Sequence, residues 1–159
     1  WHLLEGASGE AVEKLKRKRN RIYAELLRTQ DIFVRAARDV LESLHGRYAM
    51  GIVTSSLKDH FQIIHDRSGL LPYFDFVVAS GDFTKSKPDP EPYLVGIDRT
   101  GYAAHECVAI EDSERGVLAA KRAGLTCWAL PSAMTGSGDF SMADRVLDSL
   151  RDVPAFLDS

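Results

Sequence analysis

The chain has 159 residues, about the length of one domain; 45% of them are apolar and 27% charged, as is typical of a globular protein with a buried core. Twenty Lys and Arg residues against 23 Asp and Glu give a net charge of −3. This argues against a general nucleic-acid-binding protein, because such proteins carry a basic excess. No apolar run approaches the roughly 18 residues of a membrane span, no signal-peptide pattern is present, and Cys107 and Cys127 form neither a disulfide framework nor a zinc site. We therefore expect a cytoplasmic protein with no membrane and no nucleic-acid partner.

Two helices, and no strand, are predicted over residues 9–46. Ser8 is placed to cap the first helix, Glu10 and Glu13 suit its first turn, and apolar residues recur at helical spacing after them. The second helix ends at Gly46. It carries one apolar stripe, formed by Ala36, Ala37, Val40, Leu41 and Leu44.

From Tyr48 onward, short apolar runs alternate with helical stretches. The runs are typical of buried strands and cover residues 48–53, 76–79, 107–110 and 126–130. Helices are predicted near 57–67, 91–100 and 113–123, and the tail predicts a short strand at 145–147 and a small helix. Buried strands that alternate with helices indicate an α/β fold, with a mostly parallel, Rossmann-like sheet and helices on both of its faces.

Polar residues follow three of these predicted strands. In an open parallel α/β sheet, ligands bind beyond the carboxyl ends of the strands. Thr54-Ser55-Ser56 supplies hydroxyl and N–H groups at the start of a helix, a natural phosphate cradle, and Lys87 stands on a turn stiffened by prolines. Glu111 and Asp112 are adjacent carboxylates at a strand end, which suits a hard cation such as Mg²⁺. Together they predict a phosphoryl-transfer site.

Each of these residues also has a purely structural interpretation. Thr54 can end a strand and cap a helix, and Lys87 can be a solvated loop residue. Asp112 can cap the helix that follows it, through Ser113 to Gly116. The order of the three segments, each after its own strand, favours the chemical interpretation.

Three longer segments extend this pattern: GIVTSS at 51–56, YFDFVVASGDFTKSKPDPEPY at 73–93 and VAIEDSERGVLAAKRAGL at 108–125. They resemble the haloacid dehalogenase superfamily, in the subgroup of β-phosphoglucomutase-like and phosphoglycolate-phosphatase-like enzymes with a helical cap. The resemblance implies that Thr54 hydrogen-bonds the transferring phosphoryl group, that the Ser55 N–H assists, and that Lys87 neutralises phosphoryl charge. It also implies Mg²⁺ as cofactor, with Asp112 as a direct ligand and Glu111 as a ligand directly or through a water.

The sequence departs from that family in one respect. The family's enzymes attack phosphate with the first Asp of a D-x-D-x-T motif that follows a central first strand, and no D-x-D occurs in this sequence. The resemblance implies that the nucleophile strand and the early cap helices are missing ahead of Trp1, so that this chain alone is inactive. An evolved enzyme relative without activity is the alternative.

The same resemblance implies a division into two parts. Residues 1–30 would be the C-terminal part of the helical cap, and residues 31–159 the α/β core without its first strand. That strand would lie between the strands that end at Thr54 and at Asp112, so its absence predicts a gap in the sheet and a chain of marginal stability.

A basic run extends from Lys14 to Arg21, with six basic residues in eight. It can be a nucleic-acid or nuclear-targeting patch or a solvated helix face. On the resemblance, Arg19 and Asn20 match cap-helix residues that reach the substrate, and they would contact its distal polar groups when the cap closes. Arg19 and Asn20 are therefore candidate specificity residues.

The predicted function is that of a Mg²⁺-dependent phosphohydrolase acting on a small phosphorylated metabolite, a phosphate monoester, through a phospho-aspartyl intermediate. A sugar phosphomutase is the nearest alternative, because it differs in what accepts the phosphoryl group. The other alternative is a catalytically inactive module that binds phosphate and Mg²⁺ or serves a partner subunit. The sequence leaves the identity of the ester and the oligomeric state open.

Overall fold

The computed structural model describes residues 8–30, 34 and 36–158. The predicted boundary at residues 30–31 falls at the edge of the described part. The helices are α1 (Gly9–Thr29), α2 (Ala37–Leu44), α3 (Lys58–Ser68), α4 (Glu91–Thr100), α5 (Glu114–Arg122) and α6 (Val153–Leu157). The strands are β1 (Gly51–Val53), β2 (Phe76–Val78), β3 (Val108–Glu111), β4 (Thr126–Ala129) and β5 (Arg145–Val146). The predicted α/β alternation is confirmed.

The first helix begins at a side-chain cap, and the second begins after a residue with a left-handed backbone. The Oγ of Ser8 accepts a hydrogen bond from the Ala11 N–H at 3.2 Å, which confirms Ser8 as the cap of α1. Ala36 lies just outside α2 rather than in the predicted stripe, because its φ of +70° is in the left-handed region. The stripe that remains packs inward and buries Val40 and Leu44.

All strand pairs are parallel, but the sheet is in two parts. β1 pairs with β2, with Ile52 opposite Val77. β3 pairs with β4, with Ile110 opposite Trp128, and β4 pairs with β5. Among the described residues no strand joins β1 to β3, so the sheet has a gap between them.

Helices cover both faces of the sheet. Successive residues of a strand point to opposite faces, and Cys127 packs with Val117 of α5, whereas Trp128 packs with Val40 of α2 and Val153 of α6. The predicted layering, with helices on both sides of a parallel sheet, is therefore confirmed. No helix in the described part of the chain combines the length and apolar character of a membrane span.

A largely apolar cavity of about 890 Å³ separates β1 from β3. Val53 lines it from β1, and Val108 and Ile110 line it from β3. Val108 is 38% and Ile110 40% exposed, although both belong to β3, whose other edge is paired with β4. Aliphatic side chains that a continuous sheet would bury are thus left open to solvent.

The edge of β1 that faces this cavity has no strand partner among residues 36–158. The carbonyl of Met50 and the N–H of Thr54 both bond toward β2, each over 2.8 Å. Because backbone groups alternate in direction along a strand, the groups of Gly51 and Val53 point to the cavity. This open edge of β1 could pair with one further parallel strand.

We expect the 159-residue chain to bind the apolar dye ANS in native buffer, because the cavity exposes aliphatic side chains to solvent. Ile110→Ser should lower the dye fluorescence. Met134→Ser should leave it unchanged, since Met134 is 93% exposed and lies outside the cavity. The same open core predicts marginal stability. A dye-negative chain that melts cooperatively well above room temperature would contradict this expectation.

Candidate active site

A second cavity, of about 940 Å³, opens at the carboxyl ends of β1 and β3. All five residues predicted for phosphate and metal binding line it: Thr54, Ser55, Lys87, Glu111 and Asp112. Parallel strands bring their carboxyl ends to one edge of the sheet, which is why residues distant in sequence meet here. The structure therefore places the five residues predicted for phosphate and metal binding at one cavity.

Residues 54–56, the Thr54 loop, follow the end of β1. The Thr54 N–H continues the β1–β2 ladder by donating to Val78 O at 2.8 Å. The Thr54 Oγ1 accepts from the Ser56 N–H at 3.1 Å, which leaves its own proton available to an acceptor in the cavity. Ser55, at the tip, is exposed to the cavity. Hydroxyl and N–H groups of this loop can act together on an anion.

Lys87 is held inside the molecule rather than solvated. Its side chain is only 13% exposed and forms an ion pair with Glu111, which is 7% exposed. The ammonium also donates to the carbonyl of Val53, at the end of β1, over 2.9 Å. Lys87 thus bridges the two parts of the sheet at the cavity, and its interpretation as a solvated loop residue is wrong.

The backbone of the Lys87 turn is fixed by two arginines of α5. The Arg115 guanidinium donates to the carbonyl of Lys87, with Nε at 3.1 Å, and Arg122 donates to the carbonyl of Pro88 at 2.9 Å. Neither arginine is among the residues predicted from the sequence. Their spacing of seven residues, two helical turns, places them on one side of α5, but that pattern alone does not name their acceptors.

Glu111 has a second buried partner, Tyr93, which is likewise not among the residues predicted from the sequence. The hydroxyl of Tyr93 donates to the same carboxylate oxygen, Oε1, that meets Lys87. Burial and the negative charge of Glu111 raise the pKa of Tyr93 far above its usual value, so the phenol keeps its proton. Gly116 closes the other side, because a Cβ there would overlap the carboxylate.

Asp112 differs from its neighbour. It is exposed and lines the cavity. The cap of α5 is Ser113, whose Oγ accepts from the Gly116 N–H at 3.2 Å, so the interpretation of Asp112 as the capping residue is wrong. The Asp112 carboxylate makes no hydrogen bond or ion pair to the described residues, and it is free to meet a ligand in the cavity.

The acidic pair fits part of a Mg²⁺ site. Carboxylate oxygens are the ligands Mg²⁺ prefers, and it commonly takes only one or two from the protein. In residues 8–30, 34 and 36–158, no group of three His, Cys, Asp or Glu side chains could hold a metal. Asp112 and Glu111 can therefore supply at most two side-chain ligands.

Arg19 and Asn20 do not line the cavity. The Arg19 guanidinium donates to the side-chain oxygen of Asn20 at 2.8 and 3.1 Å. The carbonyl of Asn20 lies 3.2 Å from Nε2 of the buried His60, at the contact between α1 and α3. In this arrangement of α1, the two predicted specificity residues remain apart from the phosphate and metal residues.

We expect Gly116→Ala to lower the free energy of unfolding by about 1–3 kcal/mol, because the new methyl group would overlap the Glu111 carboxylate. Gly9→Ala is the control, since nothing lies within 4 Å of a Cβ at that position. Urea unfolding measures both. In a Glu111→Ala background Gly116→Ala should lose most of its cost; an equal cost in both backgrounds would refute the steric explanation.

The chain is similar to curated phosphatases along part of their length. It is 30% identical over 123 residues to validoxylamine A 7'-phosphate phosphatase from Streptomyces hygroscopicus subsp. limoneus, covering 77% of this chain and 57% of that protein. It is 37% identical over 87 residues to the fructose-1-phosphate phosphatase YqaB of Escherichia coli, covering 55% of this chain and 46% of that protein. The chain thus spans about half the length of these relatives.

Structural similarity extends over nearly the whole chain. The crystal structure of CbbY from Rhodobacter sphaeroides in complex with phosphate superimposes with a TM-score of 0.82 and 24% identity, over 96% of this chain and 71% of that one. This likeness establishes a shared fold. The sequence profile of the haloacid dehalogenase-like hydrolases matches residues 4–130, and the chain belongs to that family.

Proposed function

We propose that this chain is part of a Mg²⁺-dependent phosphohydrolase that hydrolyses a small phosphate monoester. The observation that carries the proposal is the meeting of Thr54, Lys87 and Asp112 at one cavity beyond the strand ends. Relatives named as phosphatases of phosphorylated sugars and related compounds support the same reaction class.

The residues suit phosphoryl transfer because that reaction depends on positioning and charge neutralisation. The Thr54 hydroxyl and the Ser55 N–H would donate to phosphoryl oxygens. Lys87, held at the cavity by Val53 O and Glu111, would neutralise charge on the phosphoryl group. All three groups line the same cavity, so they would meet the oxygens of one phosphoryl group.

Asp112 would hold Mg²⁺ through its free carboxylate. Glu111 would contribute through a water or through Oε2, because Oε1 is engaged by Lys87 and Tyr93. The metal, when bound, supplies positive charge that stabilises the phosphoryl oxygens in the transition state. Removal of Mg²⁺ is therefore expected to abolish turnover.

The proposed nucleophile is an aspartate on a strand outside this chain. That strand would fill the gap between β1 and β3, and its carboxyl end would open at the site, since Val53 and Ile110 line both cavities. The aspartate oxygen would attack phosphorus as the ester alkoxide leaves, and water would then hydrolyse the acyl phosphate. Without that strand, the 159-residue chain would not turn over.

A phosphate- and Mg²⁺-binding module is the second candidate, favoured by the lack of any D-x-D in the chain. Calorimetry with orthophosphate and Mg²⁺ separates the candidates once the gap is filled. Tight binding without release of phosphate from esters would favour the module, and release of phosphate would favour the enzyme.

With the preceding strand restored, Asp112→Asn should lower Mg²⁺-dependent phosphate release by about 10²–10³-fold, because it removes a charge that holds the metal. Asp98→Asn is the matched control: Asp98 is an exposed carboxylate of α4 that does not line the site. Phosphate release from p-nitrophenyl phosphate gives the readout. Undiminished activity of Asp112→Asn would overturn the metal assignment.

Arg19→Ala in the same restored protein should change the ratio of kcat/KM values between two phosphate esters by about tenfold, because a substrate contact is lost on cap closure. Arg17→Ala, an exposed arginine of the same helix, should not. Steady-state kinetics with a sugar phosphate and a short acyclic phosphate measure the ratio. An unchanged ratio would remove Arg19 from the specificity set.

A further inference from the structure

A buried polar cluster lies behind the site, formed by Lys87, Glu111 and Tyr93. The Lys87 ammonium lies 3.4 Å from the Tyr93 hydroxyl and 4.5 Å from the centre of its ring. Both the ammonium and the hydroxyl donate to Glu111 Oε1. The three side chains are therefore in mutual contact, and each restrains the other two.

Tyr93 is well placed to impose that restraint. It is the third residue of α4, its N–H donates to Pro90 O at 2.9 Å, and its ring is packed in the core with 7% of the residue exposed. The hydroxyl is consequently a fixed donor, carried by a rigid side chain with few rotatable bonds. Glu111, by contrast, can rotate about three bonds unless something holds it.

Packing does not require the hydroxyl, because the core neighbours of Tyr93 are apolar, such as Val117 and Ala120. A phenylalanine would fill the same space. Among the described residues, the hydroxyl hydrogen-bonds only to Glu111 and Lys87. The Tyr93 hydroxyl therefore serves to place Glu111 and Lys87.

We propose that Tyr93 is a positioning residue: its hydroxyl holds the Glu111 carboxylate against Lys87 and so fixes the Lys87 ammonium where it lines the site. Gly116 confines Glu111 from the opposite side. The two adjacent carboxylates thereby face different groups: Glu111 Oε1 meets Lys87, whereas Asp112 is exposed to the cavity. The proposal rests on the proposed function only for the task given to the ammonium.

The test is the rate at which the Lys87 ammonium protons exchange with water, measured by NMR on the ¹⁵N-labelled chain and assigned with Lys87→Arg. Held against Glu111 and Val53 O, these protons should exchange more slowly than those of Lys85, whose side chain is 71% exposed. Tyr93→Phe should accelerate the Lys87 exchange about tenfold, because one of the two donors to Glu111 Oε1 is lost. Tyr102→Phe, at a 55% exposed tyrosine, should not.

The Lys121 ammonium, paired with Asp144, reports in the same spectra whether a variant keeps its fold. If Tyr93→Phe loses that signal, Tyr93→Met, which also lacks the hydroxyl, takes its place. In a Glu111→Gln background, Tyr93→Phe should change the Lys87 exchange rate little further, since the hydroxyl acts through the carboxylate. Unchanged exchange in Tyr93→Phe, or a wild-type Lys87 that exchanges as fast as Lys85, would overturn the proposal.

A second readout separates this inference from the proposed function. The Kd for orthophosphate in the presence of Mg²⁺, by calorimetry, should rise about tenfold in Tyr93→Phe and stay unchanged in Tyr102→Phe. With the preceding strand restored, a wild-type protein that binds no orthophosphate would count against the proposed function, while the exchange rates would still decide the role of Tyr93. Orthophosphate binding that is equal in wild type and Tyr93→Phe would contradict the positioning role.

Discussion

The ammonium of Lys87 joins the two halves of this sheet. It bonds to the carbonyl of Val53 at the end of β1 and to Glu111 at the end of β3, across a gap in which no described strand lies. A buried charge of this kind is tolerated only when it is paired and hydrogen-bonded. The same contact thus lies at the site and links the two parts of the sheet.

The gap gives a physical reason for linking the fold to the proposed reaction. An open backbone edge and exposed aliphatic side chains are costly in a parallel sheet, which is normally buried on both faces. The cavity that holds them is lined by Val53 and Ile110, which also line the site. A strand that filled the gap between β1 and β3 would therefore place its last residue beside Thr54, Lys87 and Asp112.

Much of this arrangement could be predicted from the sequence, because parallel topology gathers strand ends and Thr54, Lys87 and Asp112 each follow a strand. The side chains that contact those residues could not be predicted from the sequence. The contacts of Lys87 with Tyr93 and Arg115 depend on how α4 and α5 pack, and the left-handed φ of Ala36 has no sequence signal in an alanine. Arg19 and Asn20 lie on α1, which packs against α3 through contacts such as that of Asn20 with His60, and the local sequence pattern does not reveal these contacts.

The central claim is that a strand carrying an aspartate completes both the sheet and the site. The most direct measurement is to read the coding DNA upstream of Trp1. An in-frame apolar run followed by D-x-D-x-T is the predicted result, since it supplies a buried central strand and a nucleophile at its end. A stop codon, or a start codon, immediately ahead of Trp1 would contradict the account, and the binding-module interpretation would then take its place.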